Sequence, residues 1–253
     1  MPPKEDGASW GGGMKLADRI SAWIKERVEE AGAQGVVVGM SGGIDSSTVA
    51  VLAKRALGDR VLGLIMPCHS DPTDVEHARL VAEKFGIRTE YVDLTPIFDR
   101  LVEALPPGDR VAVGNLKPRL RMTVLYYFAN SRHYLVVGSG NKSEISVGYL
   151  TKYGDGGVDI LPLGDLLKTQ VRELARELGI PEEIIAKPPS AGLWEGQTDE
   201  GEMGITYEEL DATIRAIEAG DTSRCDKEAL EKVRRMMAAS AHKRAPIPIC
   251  RIE

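Results

Sequence analysis

The sequence predicts an α/β fold: a doubly wound, mostly parallel sheet with helices on both faces, followed by a C-terminal helical extension. Three observations lead to this prediction. Short apolar runs alternate with helical patterns over the first 140 residues, a glycine-rich turn follows three valines at 36–38, and only helical patterns follow residue 160. Alternating strands and helices are typical of parallel sheets with helices on both faces.

Hydrophobic periodicity predicts each strand and helix along the chain. Strand-like runs lie at 35–39, 61–66, 87–92 and 134–138. Helical patterns lie at 17–31, 46–57, 73–85 and 115–131, then at 165–178, 181–186, 206–219 and 226–239. Thr73 with Glu76, and Thr206 with Glu209, have the spacing of capping boxes. The order of these elements is Rossmann-like, so ligands are expected beyond the carboxyl ends of the strands.

The chain shows no linker that divides it. Residues 1–13 are rich in glycine and proline and are predicted to be a flexible segment, with a single domain over 14–253. Residues 187–204 form a long, polar, glycine-containing stretch between helices. Loops of this length in a domain are usually functional lids or disordered segments, so we predict a mobile lid here.

Composition excludes several classes of protein. Of 253 residues, 43% are apolar and 28% charged, which is typical of a soluble globular protein. The net charge of −6 argues against nucleic acid as the main partner. No apolar run approaches the roughly 18 residues of a membrane span, and the N-terminus lacks the apolar region of a secretory signal. Three widely spaced cysteines lack metal-ligand spacing and favour a reducing, cytoplasmic setting.

Residues 36–46 are the most informative stretch. A β-branched run ends in a glycine-rich turn that opens a helix, an arrangement that aims backbone N–H groups and a helix dipole at one point. The turn is therefore interpreted as a phosphate-binding loop, although it lacks the Gly-Lys-Ser/Thr of a Walker A motif. Asp45 stands where a carboxylate could hold magnesium. The alternative is a simple turn between a strand and a helix.

A second strand also enters a turn of small residues. Residues 135–144 end in Glu144, which would lie near Asp45 if the two strands were neighbours. Two carboxylates could then share one magnesium ion, a cation that prefers oxygen ligands. Alone, Glu144 could equally be a solvated residue in the first turn of a helix.

The remaining polar features are ambiguous by spacing alone. Residues 152–159 carry three glycines beside Lys152, Asp155 and Asp159, which suits either a close approach to a ligand or an exposed turn. Lys168 has the spacing of a solvated helix lysine, and residues 242–244 could be a basic surface tail. Trp194 is a large apolar group in a polar loop, where it could anchor the loop or cover a ligand.

Together these pieces resemble a known family. Residues 41–46, Ser-Gly-Gly-Ile-Asp-Ser, are similar to the pyrophosphate loop of the ATP-pyrophosphatase superfamily. Residues 148–159, Gly-Tyr-Leu-Thr-Lys-Tyr-Gly-Asp-Gly-Gly-Val-Asp, resemble the segment characteristic of the NAD synthetases. Matches in the same order occur at 114–122, 163–170, 187–192 and 242–244, so the resemblance extends from about residue 16 to the end.

The resemblance implies a homodimeric carbon–nitrogen ligase that makes NAD from deamido-NAD. ATP adenylates the nicotinate carboxylate with release of pyrophosphate, and ammonia then attacks the mixed anhydride to give NAD and AMP. It implies contacts to ATP from Gly39, Met40, Ser41, Gly42, Gly43, Ile44, Asp45, Ser46, Ser139, Lys168 and Ser190. The resemblance also implies that Asp45 and Glu144 bind magnesium and that Asp155 and Lys168 have catalytic roles. The residues implied to bind deamido-NAD are Arg119, Lys152, Asp159, His242 and Lys243.

The chain departs from the family pattern at two places. Ser139 and Ser190 stand where many relatives have threonine, and Gly140-Asn-Lys-Ser143 replaces an Asp-His-Ala-Ala sequence. Too few residues precede the first predicted helix to form a glutaminase domain, so ammonia is expected to be the direct nitrogen donor. The sequence leaves open a separate glutaminase partner.

Two other functions are compatible with a phosphate-binding loop on this fold. A tRNA-modifying ATP pyrophosphatase would normally carry a basic nucleic-acid-binding domain, which this acidic chain has no room for. A non-catalytic nucleotide-binding module on the same fold is the second rival, since a fold does not determine a function. Such a module would need the phosphate loop but neither of the two carboxylates nor residues 152–159.

Overall fold

The computed structural model describes residues 14–252. The predicted flexible segment 1–13 lies outside the described residues, as does Glu253. Four parallel strands form one sheet in the order β3-β2-β1-β4, which confirms the predicted parallel topology. Their bounds are β1 Gly35–Gly39, β2 Val61–Ile65, β3 Arg88–Tyr91 and β4 Tyr134–Val137. A bridge between Val137 and Ile160 adds a short parallel contact on the outer side of β4.

The helices lie on both faces of the sheet and beyond it. In chain order they are α1 Leu16–Glu30, α2 Ile44–Leu57, α3 Pro72–Phe85, α4 Thr95–Ala104, α5 Arg110–Gly114, α6 Leu116–Arg132, α7 Lys142–Val147, α8 Lys168–Glu177, α9 Glu182–Ala186, α10 Asp199–Met203, α11 Tyr207–Ala219, α12 Lys227–Ala239 and α13 Ala241–Arg244. Within residues 14–252, none is both long and apolar enough to cross a bilayer.

Three apolar cores hold these layers together. Val36 and Val38 point into a core formed with α1, α2, α3, α8 and α9. Val37, between them, faces the opposite core formed with α4 and α6, because successive side chains of a strand alternate between its faces. A third core joins α7, α11 and α12. The predicted C-terminal extension is confirmed, but its first two helices, α8 and α9, belong to the core of the sheet.

The helix caps and the short helices differ in part from the sequence prediction. The predicted capping box of Thr73 and Glu76 is wrong, because Asp71 caps α3 by accepting the N–H of Thr73 at 2.8 Å, with Pro72 as the first helical residue. The capping box of Thr206 and Glu209 is confirmed at α11. Helices α4, α5, α7 and α13 were not predicted, and the long segment 187–204 contains α10.

Candidate active site

The predicted phosphate-binding loop joins β1 to α2 at the carboxyl edge of the sheet. Gly42 has φ of +80°, and a Cβ atom there would overlap the backbone of Asp74, so the loop requires glycine at this position. The Ser46 hydroxyl lies 2.9 Å from that of Ser41 and 3.1 Å from the carbonyl oxygen of Gly43. The loop is thereby closed on itself, and the N–H groups of the first turn of α2 point away from their own helix.

Three charged side chains meet beside this loop. The Lys168 ammonium contacts a carboxylate oxygen of Asp45 and lies 3.5 Å from Oε1 of Glu144. Only 1% of the Lys168 side chain is exposed, so its charge is balanced by protein groups. We call Asp45, Glu144 and Lys168 the charge centre. It brings together residues from α2, α7 and α8, including the two predicted metal ligands.

The electrostatics of the charge centre follow from crowding of carboxylates. Burial, together with the neighbouring carboxylate of Asp45, raises the pKa of Glu144 to about 8, against the effect of Lys168. Burial alone would lower the pKa of Lys168, but the carboxylates of Asp45 and Glu144 more than offset it, and the net shift is upward. The centre therefore has a deficit of positive charge, which suits a further cation.

Asn141 holds both carboxylates in place and was missed at the sequence level. Its side-chain amide donates to Oδ1 of Asp45 at 3.0 Å, and its backbone N–H donates to Oε2 of Glu144 at 3.2 Å. The amide oxygen accepts the N–H of Glu144 at 3.0 Å, which completes a capping box at α7. The signal was present, because Asn followed three residues later by Glu is the spacing of such a box.

The start of α8 is fixed by a second polar group. The N–H of Lys168 donates to the Ser143 hydroxyl at 2.9 Å, and that hydroxyl contacts the buried carboxylate of Asp211. The other oxygen of Asp211 accepts the N–H of Thr169 at 2.9 Å. A carboxylate at a helix N-terminus is stabilising. Asp211 on α11 therefore determines where α8 begins and how Lys168 enters the charge centre.

The remaining predicted ATP contacts lie in two places. Ser139 is half-buried directly after β4 and Gly138, at the same edge as the charge centre. Ser190 lies instead within the segment 187–204, where its hydroxyl donates to the carbonyl oxygen of Gln197 at 2.7 Å. The structure does not bring Ser190 into the charge centre.

The predicted dinucleotide contacts form a separate group around residues 148–159. The Lys152 ammonium donates to the carbonyl oxygen of His242 at 3.0 Å, and that of Lys243 donates to the carbonyl oxygens of Gly148 and Leu150, both at 2.7 Å. These bonds attach the C-terminal helix α13 to the glycine-rich turn. We call Arg119, Lys152, Asp155, His242 and Lys243 the turn group.

Asp155 and Arg119 of the turn group, and the neighbouring Asp159, make hydrogen bonds to backbone atoms as well. Asp155 accepts the N–H of Thr151 at 2.9 Å, and Arg119 donates to the carbonyl oxygen of Lys152 at 3.4 Å. Asp159 lies apart from the turn group, where it accepts the N–H of Val136 at 2.7 Å and the Tyr126 hydroxyl at 2.9 Å. It thereby secures the outer side of β4.

Comparison with known proteins decides the family. The NAD synthase family model, described as "NAD synthase", matches residues 16–247. This chain belongs to the NAD synthase family. An NH(3)-dependent NAD(+) synthetase of Archaeoglobus fulgidus is 50% identical over 241 residues, which are 94% of this chain and 97% of that protein. The resemblance inferred from residues 41–46 and 148–159 is thereby confirmed.

Solved structures of this family share the fold. An NMN synthetase of Francisella tularensis superposes with a TM-score of 0.86 at 36% identity, covering 94% of this chain and 98% of that one. An NH3-dependent NAD synthetase of Campylobacter jejuni superposes with a TM-score of 0.82 at 30% identity, covering 93% and 97%. The parallel sheet with helices on both faces is therefore the fold of the NAD synthase family.

The donor set of the charge centre fits magnesium rather than a transition metal. Asp45 and Glu144 offer carboxylate oxygens, and both already face one cationic group, the Lys168 ammonium. In the part of the chain that the structure describes, no three His, Cys, Asp or Glu side chains are arranged to hold a metal ion. Magnesium does not need such a cage, because it keeps waters and binds substrate phosphates alongside one or two carboxylates.

Proposed function

We propose that the charge centre is where this member of the NAD synthase family carries out the ATP-dependent amidation of deamido-NAD, with ammonia as nitrogen donor. The products are NAD, AMP and pyrophosphate, so the chain is a carbon–nitrogen ligase. The observation that carries the proposal is the buried ammonium of Lys168 between Asp45 and Glu144, beside a loop that opens a helix. Ligands of parallel sheets bind at this edge.

The first step activates a carboxylate. The nicotinate carboxylate attacks the α-phosphorus of ATP, and pyrophosphate leaves with the electrons of the broken P–O bond. The displaced pyrophosphate gathers negative charge, which the N–H groups at the start of α2, the Ser41 and Ser46 hydroxyls and the Lys168 ammonium are placed to stabilise. The N–H of Met40 is not among them, because it donates to the carbonyl oxygen of Leu64 at 2.8 Å. Lys168 is suited to this role because it is buried and stays charged. Ser139 and Ser190 are proposed as further ATP contacts.

Asp45 and Glu144 would hold magnesium. Bound there, the ion would neutralise phosphate charge and help orient the phosphates. Asn141 supports the assignment, because it holds one oxygen of each carboxylate and leaves the other oxygen facing Lys168. Hydrogen bonds from neighbouring residues to the ligating carboxylates orient those carboxylates in metal sites.

The second step forms the amide. Ammonia attacks the carbonyl carbon of the acyl-adenylate, AMP leaves, and a proton is lost from nitrogen. Asp155 is proposed to hold ammonium or to accept its proton, because it is a carboxylate on the glycine-rich turn, with Oδ1 fixed by Thr151.

The turn group, with Asp159, is proposed to bind deamido-NAD. A dinucleotide carries two phosphates, and Arg119, Lys152, Lys243 and His242 supply the basic side chains that such a ligand requires. Arg119 and His242 are exposed, so both side chains are accessible to a phosphate. The ammonium groups of Lys152 and Lys243 already hold carbonyl oxygens, so they also keep the turn in shape for the ligand.

We further propose that the chain acts in the cytoplasm as a C2 homodimer in which the partner completes the deamido-NAD site. The family supports this expectation, and symmetric dimers are the commonest oligomers. The apolar side chains of α6 do not add to it, because Leu116, Leu120, Val124 and Phe128 pack on the second core of their own chain. Tyr127 on α6 is 67% exposed and is open to a partner. A fully active monomer by sedimentation velocity at micromolar concentration would contradict the dimer.

One assay tests the reaction. The purified protein is incubated with ATP, magnesium and deamido-NAD, with and without ammonium, and AMP and NAD are quantified by chromatography. We expect NAD and AMP in equal amounts, and NAD only with ammonium. A nucleotide-binding module would release neither product. A tRNA-modifying enzyme would require RNA for AMP release.

The NMN synthetase of F. tularensis supports a second candidate substrate, nicotinate mononucleotide. It shares the nicotinate carboxylate with deamido-NAD but lacks the adenylate half, so the same chemistry would apply. The competing substrates are compared by kcat/KM in the same assay. We expect deamido-NAD to be preferred, because several close relatives are NH(3)-dependent NAD(+) synthetases.

A further inference from the structure

One tyrosine connects the charge centre to the segment 187–204. Tyr207, the first residue of α11, is fully buried in the third core. Its N–H donates to Oε1 of Glu200 in α10 at 2.9 Å, and Thr206 before it caps the helix. The backbone at the start of α11 is therefore held by hydrogen bonds.

The Tyr207 hydroxyl lies between two carboxylates. It is 2.9 Å from Oδ2 of Asp199 and 3.3 Å from Oε1 of Glu144, the same oxygen that faces Lys168. A phenol has one proton, so the hydroxyl can donate to only one of these two carboxylate oxygens at a time, and it lies closer to that of Asp199. Asp199 is 4% exposed, and its other oxygen is buried with no hydrogen-bond partner among the described residues.

The ring of Tyr207 contacts the third member of the charge centre. The Lys168 ammonium lies 5.0 Å from the ring centroid, within the range of a cation–π interaction. A single side chain thus touches Glu144 with its hydroxyl and Lys168 with its face. Its hydroxyl partner Asp199 begins α10, the helix that ends the segment 187–204.

We propose that Tyr207 is a positioning residue for the reaction. Together with Asp199, it holds Glu144 and Lys168 in the arrangement that receives magnesium and the ATP phosphates. Through Asp199 it also couples this arrangement to the segment 187–204. It acts through Glu144 and Lys168, as second-shell groups do when they orient ligands. This inference rests on the proposed function.

The test is Tyr207→Phe, which keeps the ring over Lys168 and removes only the hydroxyl. Affinity for a non-hydrolysable ATP analogue with magnesium is measured by calorimetry, and kcat and KM for deamido-NAD are measured separately. We expect the affinity for the magnesium–analogue complex and the kcat each to fall by about tenfold. This is the smaller end of the losses seen when a residue that orients a metal ligand is replaced. The KM for deamido-NAD should stay within about twofold, because the turn group is unchanged.

Tyr126→Phe is the matched control. Its hydroxyl also donates to a carboxylate, Oδ1 of Asp159 at 2.9 Å, but it lies on α6 and has no hydrogen bond to Asp199, Glu144 or Lys168. We expect its affinity for the analogue to stay within about twofold of wild type. Equal losses in both variants would show a general structural effect and overturn the proposal, as would wild-type affinity and kcat in Tyr207→Phe.

Two arrangements keep the test decisive. If Tyr207→Phe cannot be purified folded, Asp199→Leu removes the main acceptor of the hydroxyl, and the same loss of affinity is expected; wild-type affinity there would contradict the proposal. If wild-type protein binds the analogue but makes no NAD, the proposed function fails. The calorimetric comparison of Tyr207→Phe with Tyr126→Phe then still tests the positioning role.

Discussion

The charge centre and the turn group contain the same kinds of side chain but use them differently. In the charge centre, Asp45 and Glu144 face a buried ammonium, and Asp199 adds a third carboxylate nearby. In the turn group, the ammonium groups of Lys152 and Lys243 bind backbone carbonyl oxygens. Side chains that face each other can rearrange around a ligand, whereas those bound to carbonyls determine the shape of the chain. The difference predicts phosphate chemistry at the charge centre and, apart from the role proposed for Asp155, substrate fit at the turn group.

The largest expected effect is loss of turnover in Asp45→Asn or Glu144→Gln. Each change removes an anionic oxygen from the charge centre but keeps its shape, so we expect kcat to fall by at least about 100-fold while the fold is retained. Steady-state kinetics with a magnesium titration and circular dichroism measure both.

Asp165→Asn is the control for these variants. Asp165 is a carboxylate near α7 that pairs with Lys142 and is 98% exposed, so its loss should leave kcat unchanged. Normal turnover with an unchanged magnesium dependence in Asp45→Asn or Glu144→Gln would remove both residues from the catalytic machinery.

At the turn group, Lys243→Met should change binding and stability rather than the chemical step. The variant loses two bonds from an ammonium to the carbonyls of Gly148 and Leu150, so we expect the free energy of unfolding to fall by about 1.5–3 kcal/mol. The KM for deamido-NAD should rise about tenfold, with a smaller change in kcat. The reason is that one contact between a charged side chain and an anionic ligand changes the affinity about tenfold.

Lys232→Met separates the two effects. Lys232 also binds a backbone carbonyl, that of Gly204, but lies outside the turn group. Lys232→Met should lower the free energy of unfolding and leave the KM for deamido-NAD unchanged. If Lys243→Met lowers kcat as strongly as Asp45→Asn, the division of roles between the two regions is wrong.

A third prediction concerns the segment 187–204, which lies between the two regions. The Trp194 ring packs against Gly114 and the guanidinium of Arg110, whose carbon is 4.5 Å from the ring centroid. A closed segment would keep water from the acyl-adenylate, so Trp194→Ala should raise AMP release above NAD formation, by about twofold or more. Chromatography of both products measures the ratio.

Proteolysis tests the same segment without relying on turnover. Cleavage within 187–204 should slow sharply when ATP, magnesium and deamido-NAD are added. Trp23→Phe, a change in the first core, should keep the ratio of AMP to NAD at one. Equal protease resistance with and without ligands, together with a ratio of one in Trp194→Ala, would show that the segment is not a lid.

The smallest expected effect is on the pH dependence of stability without ligands. The pKa of Glu144 is about 8 in the folded chain against an ordinary value of 4.5, so the folded state binds this proton more tightly. Its stabilising contribution is complete below pH about 4.5 and is lost as pH rises to about 8. Denaturant titrations should show a flatter decline over this range in Glu144→Gln. An identical pH profile for wild type and Glu144→Gln would contradict the shifted pKa.

Much of this molecule is determined by the local sequence. Three successive valines specify β1, because β-branched residues suit a strand buried on both faces. Glycine at position 42 follows from the positive φ of the loop. Parallel pairing of β1 with β4 then places Asp45 and Glu144 at one edge, so their proximity followed from topology and was predictable.

The partners within the site were decided only by the tertiary structure. Lys168 lies 123 positions from Asp45, and Tyr207 lies 63 positions from Glu144, distances at which periodicity carries no information. By spacing alone Lys168 is a solvated helix lysine, yet it is buried, because α8 packs against α2 and Asp211 fixes its first turn. Charged side chains are buried only where partners surround them, and those partners come together only when distant elements pack.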